Sequence, residues 1–226
     1  MSDADLIALW LTVKLAGMTT LALVIVATPL AWWLGRTRLT VKIFIQPIVA
    51  LPIVLPPTVM GFYLLIAFAP SGPVGELWHL VTGDRLAFTF NALVLGSMLY
   101  SLPFYVQPLQ LAFEGLHQDL LDVASTLGAG PFDRFLSLVV PACRPGFITA
   151  ACLAFAHTVG EFGIVLMIGG NIPGQTRVLS IALFDDVESL EYVHAHAVAG
   201  GLVVFAFLIL LAVYTLNRRW SSYDLR

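Results

Sequence analysis

The chain has 226 residues, of which 59% are hydrophobic and 11% charged, and its formal net charge is −3. A mean hydropathy of +0.91 lies outside the range of soluble globular domains, and several apolar stretches reach the ~20 residues that cross a bilayer. The small negative charge argues against a nucleic-acid partner; the expected fold is an all-α integral membrane protein.

The first predicted span covers 11–34. Asp3 and Asp5 precede it and Arg36, Arg38 and Lys42 follow it, the reverse of the charge order of a secretory signal. The second span, 44–69, is interrupted by Pro52, Pro56 and Pro57. Proline inside a helix removes an i→i−4 hydrogen bond, and irregular backbone at membrane depth is tolerated only within protein or beside water. Two readings fit: a bent, pathway-facing helix that rearranges, or a static kink that shapes packing. The third span, 87–111, carries the small pair Ala92 and Gly96, which permits close helix approach.

Between the third and fourth spans, about 114–145 forms a polar loop around DLLDVASTLGAGPFDRFLSLVVP (119–141). Leu120, Val123, Ala124 and Leu127 recur at helical spacing as one apolar stripe. Asp119 is the expected N-cap, with Asp122 completing a capping-box-like pair. Gly128 and Gly130 suit a left-handed ending, and Pro131 the first position of a second helix that carries Phe132, Phe135, Leu136 and Val139 and stops at Pro141. The segment reads either as an interfacial loop or as a docking element for a soluble partner.

The fourth span, 146–169, holds Glu161, the only acid well inside a span, with His157 one helical turn earlier as a candidate partner. Glu161 is expected to be structural, hydrogen-bonded at a helix break near Gly160 and Gly163; a gating role is the alternative. Their spacing is not that of a metal motif. Cys143 and Cys152 would stand about 13 Å apart on a helix, too far for a disulfide, and read as packing residues. The outer loop that follows is acidic, with Asp185, Asp186, Glu188 and Glu191, and its His194 and His196 read as solvated residues without a metal. The fifth span is 195–216. A sixth arises only if 131–141 or 176–187 re-enters the membrane.

With the N-terminus outside and the C-terminus inside, eight of the 11 Lys and Arg residues fall on the inner side: Arg36, Arg38, Lys42, Arg134, Arg144, Arg218, Arg219 and Arg226. That satisfies the positive-inside rule. No Walker A, G-x-S-x-G or H-E-x-x-H motif occurs, so neither ATP hydrolysis nor a known catalytic constellation is expected here, nor any cofactor. One membrane domain over 1–226 is the economical reading.

The run from Asp122 through Val123, Ala124 and Gly128 to Leu138, Val140 and Pro141 resembles the E-A-A-x3-G-x9-I-x-L-P loop of ABC importer permeases. Asp stands for Glu, and Ala124, Gly128 and Pro141 match. Further stretches, LPIVLPPTVMG (51–61), AFAHTVGEFG (154–163) and GNIPGQTRVLSIALFDDVE (170–188), resemble the oxyanion branch of that family and are most similar to its molybdate permeases. The resemblance implies the type I ABC permease fold, a cytoplasmic coupling helix, and a bacterial cytoplasmic-membrane location. It also implies partners: two ABC ATPase subunits, a second copy of the chain, and an extracytoplasmic oxyanion-binding protein. On this basis Asp122, Val123, Ala124, Gly128, Ala129, Gly130 and Pro141 are the expected ATPase-coupling residues. Pro52, Pro56, Pro57, His157, Glu161 and Asn171 are the pathway or gating candidates, and the cargo is molybdate, with tungstate or sulfate as alternatives. An ATP-independent secondary transporter is the rival from another class; it predicts several embedded ionisable groups and inverted repeats, where the sequence offers one embedded acid and no repeat.

Overall fold

A computed structural model of the chain describes residues 3–221; Arg226, counted above among the inner basic residues, lies outside them. Every regular element among the described residues is helical. Helix α1 (Asp3–Arg36) and α5 (Phe90–Glu114) form the centre of the fold and run side by side. Both contain prolines, Pro29 in α1 and Pro103 and Pro108 in α5, yet neither is broken.

Two apolar clusters lie along this pair. One joins Leu11 and Leu15 of α1 to Ala92 and Leu93 of α5, together with Ile164, Val165 and Ile168. The other joins Leu23, Ala27, Ala31 and Leu34 of α1 to Tyr105, Leu109 and Phe113 of α5, with Ala150 and Ala154. The Tyr105 hydroxyl, wholly buried, meets Thr28 Oγ1 at 2.9 Å, and Thr28 donates back to the Val24 carbonyl. These two buried hydroxyls thus find partners within the bundle.

The second predicted span is not one helix. It is α2 (Lys42–Val54) and α3 (Pro57–Phe68), bent by 111° at the break. Leu55 takes an extended conformation, as a residue before proline prefers, Pro56 caps α3 and Pro57 opens it. Pro47 and Pro52 remain inside α2; the tandem pair, not the isolated prolines, breaks the chain. A short α4 (Pro73–Thr82) follows, ended by Gly83 in the left-handed conformation.

The fourth span also departs from expectation. Helices α6 (Gln118–Thr126) and α7 (Pro131–Arg134) lead into a π-helical stretch, Phe135–Val139, and α8 (Val140–Ala142). This run bends by 76° into α9 (Arg144–Val159). The run ends one residue past Pro141, at Ala142. The Val140 amide reaches back five residues to Phe135, a π-type widening that lets the chain pass a residue without an N–H. At its other end α9 stops at Gly160, and α10 (Gly163–Gly169) begins afresh, so 146–169 is broken at the place expected from Gly160 and Gly163. Segment 176–187 is largely α11 (Leu179–Glu188), packed on α1 and α12 (Tyr192–Ser221). Three helices are long and apolar enough to cross a membrane unbroken, and five spans result if each bent pair counts as one.

Candidate functional site

Two regions carry the residues singled out above, and the first is the elbow between α6 and α7. α6 turns its buried Leu121 toward the bundle, at 8% exposure. The predicted stripe faces outward: Leu120, Val123 and Leu127 are exposed, Leu127 at 82%. This exposed apolar face lies beside exposed Asp119, Asp122, Ser125 and Thr126.

The expected N-cap is corrected. His117 occupies the cap position without a side-chain bond, and Asp119 sits inside the first turn, where a carboxylate still favours the positive helix end. Asp122 accepts from Gln118 Nε2 at 3.0 Å one turn earlier, not from a capping-box amide. The C-terminal end follows the sequence closely. Gly128 has φ +86°, its amide reaches the Ser125 carbonyl at 3.0 Å, and the Ala129 amide reaches Ala124 at 3.1 Å. This is a Schellman motif, in which glycine supplies the left-handed residue. Gly130 caps α7 in an extended conformation ahead of Pro131. Arg134 closes the elbow by donating to Ser125 Oγ at 3.1 Å.

The elbow is fastened to the bundle at both ends. Arg36, at the end of α1, donates to the Leu116 carbonyl at 3.1 Å, and its guanidinium lies over the Trp32 ring. Lys42 and Gln110 both reach the Glu114 carboxylate at 2.9 Å. On the far side, the ring of Phe135 meets Trp32 edge-on at 5.7 Å, and Trp32 meets Phe113 at 5.1 Å. These contacts join α1, α2 and α5 beside the segment that leads into α6, and no motif announced them. Only the isolated charges and aromatics hinted at them.

The second region is an open cavity of about 500 Å³ at the chain breaks, lined by Pro57, Thr58, Tyr100, His157, Glu161 and Gly163 among others. Three of the pathway candidates thus share one space. Pro52 is buried within α2 and Pro56 caps α3, so these two shape the bend behind it. Gly163 is required by close approach: a Cβ there would stand 2.8 Å from Pro57 Cβ.

His157 is not the partner of Glu161. Its Nδ1 is 2.9 Å from Ser101 Oγ, which also meets Thr158 Oγ1 at 2.9 Å, and its ring stacks on Phe104 at 3.9 Å. Glu161 is 4% exposed, and neither carboxyl oxygen has a hydrogen-bond partner. The Ser97 hydroxyl of α5 is the polar group beside it. The backbone of Glu161 is secured, its carbonyl accepting from Ser180 Oγ at 2.6 Å. Glu161 thus sits at the expected helix break, with Ser97 as the polar side chain next to its carboxyl group.

Asn171 lies elsewhere, outside the lining of this cavity. It adopts φ +54° after α10, and its amide nitrogen donates to both Asp185 oxygens at 3.2 Å, while Arg177 Nη2 pairs with Asp185 at 2.8 Å. Asn171 therefore fixes the loop before α11. His194 is likewise not a freely solvated residue: its nitrogens meet Asp186 at 2.8 Å and Asp5 at 2.9 Å, tying α12 to α11 and α1. His196 is exposed, as expected. Both cysteines are free, and buried Cys143 donates weakly to the Ala112 carbonyl.

A family model described as the inner membrane component of binding-protein-dependent transport systems matches residues 27–222. The chain belongs to this family. Among similar members, the molybdenum transport system permease protein ModB of Azotobacter vinelandii is 57% identical over 222 residues, 98% of each chain. The sulfate transport system permease protein CysT of Escherichia coli is 30% identical over 192 residues, 85% of this chain and 69% of that protein. A crystal structure of a bacterial ABC transporter that imports alginate aligns with TM-score 0.75 at 18% identity, covering 97% of this chain and 80% of that one. That likeness shows the fold alone. As an inner membrane component the chain is a multi-pass membrane protein, and its three to five spanning segments are the apolar helices described above.

Proposed function

We propose that the chain is the membrane subunit of an ATP-driven importer that carries molybdate across the bacterial cytoplasmic membrane by alternating access. The observation that carries this reading is the 57% identity, across 98% of both chains, to a molybdenum transport permease. The lower identity to a sulfate permease, over a smaller share of that protein, favours molybdate over sulfate.

In this reading two copies of the chain line one pathway, with N-termini outside and C-termini inside. Two partner ATPase subunits hydrolyse ATP, and an extracytoplasmic oxyanion-binding protein delivers the cargo. The chain itself is not an enzyme. The exposed stripe Leu120, Val123 and Leu127, with Asp122, Ala124, Gly128, Ala129 and Gly130 around it, docks on the ATPase, and Pro141 with the π-helical stretch hands the motion to α9. ATP-driven closure of the ATPases pushes the elbow, and the breaks at Pro52–Pro57 and Gly160–Gly163 give the spans places to bend. The whole chain acts as one membrane domain in contact with lipid.

The test is uptake by proteoliposomes holding this chain, its ATPase and its binding protein. ATP-dependent uptake of molybdate that tungstate competes for and excess sulfate does not is the expected result. Preferred uptake of sulfate would overturn the choice of cargo.

A further inference from the structure

Helix α12 carries two recesses along one face, and together they fit one kind of molecule. Residues three and four apart share a side of a helix, and His194, Ala197, Val198, Gly201, Leu202 and Phe205 follow that spacing. The deeper recess is a cavity of about 180 Å³ between α1, α9, α11 and α12, with Leu9, Val13, Val159, Leu179, Val198 and Phe205 among its walls. Thr12 is the polar side chain of its lining. Its hydroxyl already donates to the Ala8 carbonyl and accepts from the Leu179 amide, each at 2.8 Å. An apolar space of about 150 Å³ stays dry and admits a hydrocarbon, whereas a helix, about 10 Å across, does not fit such a space. Gly201 opens the cavity sideways: it lines the space, is exposed, and has nothing within 4 Å of where a Cβ would stand. Val204 and Leu208, one and two turns further along that side, are exposed. The opening is thus continuous with the apolar surface of a spanning helix.

The second recess lies one turn nearer the start of α12. It is open, it is lined by Glu191, Tyr192, Val193 and His194, and Ala197 lines both spaces. His194 meets Asp186 at 2.8 Å and Asp5 at 2.9 Å. Exposed Glu191 brings its carboxylate within 4.8 Å of Asp186 and His194. Three acids therefore face one imidazole, and the group stays negative whether or not that imidazole carries a proton. Arg177, before α11, is engaged by Asp185 instead. Helices α1 and α12 begin at Asp3 and Tyr192, so this acidic group stands at a membrane boundary, at headgroup level, and the apolar cavity starts one turn deeper.

We propose that this face of α12 is a phospholipid site, in which one acyl chain fills the cavity beside Gly201 and a headgroup ammonium sits against Glu191 and Asp186. The charge selects the headgroup. An ethanolamine ammonium donates charge-assisted hydrogen bonds to carboxylates, whereas a glycerol headgroup leaves the phosphate's negative charge facing the acids. A chain seated there packs α12 against α1 and α9, where the described ring contact between α12 and α9 is Phe205 with Phe155 at 6.5 Å. The inference stands on the membrane location alone and is independent of the cargo.

The test uses the assembled transporter in nanodiscs holding equal parts of phosphatidylethanolamine and phosphatidylglycerol. It is extracted in mild detergent and weighed by native mass spectrometry, with a chelator present so that no divalent cation bridges the acids to an anionic headgroup. The native transporter is expected to retain phosphatidylethanolamine over phosphatidylglycerol by about tenfold, the worth of one charge-assisted hydrogen bond. Gly201→Leu, which puts its own side chain into the cavity, is expected to retain one lipid fewer per permease. Glu191→Gln should keep the lipid while its headgroup preference falls several-fold. Equal retention by the native and Gly201→Leu transporters overturns the site, as does a native transporter that holds both lipids alike. If Gly201→Leu fails to assemble, an unchanged preference in Glu191→Gln still overturns it. Loss of the second copy by Gly201→Leu, with every lipid retained, assigns the recess to an interface between permeases and overturns it too.

Discussion

Gly128 offers a clean separation of turn geometry from docking. A Cβ added there would meet nothing within 4 Å, so no packing is lost when it is replaced. The cost that remains is backbone strain at φ +86°, about 1–2 kcal/mol for an ordinary L-residue and less for Asn or Asp, which visit the left-handed region more readily. A domain stable by roughly 5–15 kcal/mol absorbs that loss and stays folded. Charge is another matter. Residues 119–134 carry Asp119, Asp122 and Asp133 against Arg134, a net of −2, and Gly128→Asp takes this to −3 on the exposed face. A like-charge contact or an unpaired acid at an interface costs several kcal/mol. The expected order of ATP-driven molybdate uptake is therefore native ≈ Gly128→Asn > Gly128→Ala ≫ Gly128→Asp, with Asn within about twofold and Asp down at least about tenfold. Yield in the membrane should be the same for all four. The assay is uptake by proteoliposomes with partner ATPase and binding protein, alongside thermal unfolding of the permease. If Asn is as inactive as Asp, turn shape or bulk matters and charge does not. If Asp transports normally, the elbow is not the docking surface.

Gly163→Ala is expected to force α10 from α3, because its Cβ would stand 2.8 Å from Pro57 Cβ. A loss of about 1–3 kcal/mol follows from overpacking, read as a lower unfolding temperature together with reduced uptake. Phe113→Ala removes a wholly buried ring that meets Trp32 and Phe147. About 3–5 kcal/mol should be lost, visible as poor membrane yield and a lowered unfolding temperature. Lys42→Ala should by contrast shift stability by less than about 1 kcal/mol, since its pair with Glu114 is partly exposed. A larger shift in thermal unfolding would mean that this pair carries more of the elbow than its exposure allows.

The parts of the fold that were legible in the sequence are those governed by local chemistry. Unbroken α1, α5 and α12 follow from apolar length alone, and the Schellman ending at Gly128 follows from a glycine placed after an amphipathic turn. The N-cap of α6 is not legible, since His117 holds that position without a side-chain bond and Asp119, the better capping residue, falls inside the first turn. The end of the second helix within a residue of Pro141 follows from the proline, whereas the π-helical stretch before it has no signature in the sequence. His157 and Glu161 share one helical turn in sequence. The chain leaves the helix at Gly160, which turns Glu161 away and leaves His157 to Ser101. The cavity itself was not legible, since it needs the 111° bend after α2 to bring Pro57 against Gly163. The ties from Arg36 to Leu116 and from Lys42 to Glu114, at the end of α5, span more than 70 positions of sequence, and no spacing pattern announces contacts of that range.

The central claim is that this chain receives its energy from a separate ATPase through the exposed face of α6. A photo-crosslinking amino acid placed at 123, at 127 and, as a control, at 121 addresses it in the assembled transporter. The account predicts a crosslink to the ATPase subunit from the exposed positions Val123 and Leu127 and none from buried Leu121. A permease that transports normally while no crosslink reaches the ATPase from Val123 or Leu127 would contradict it.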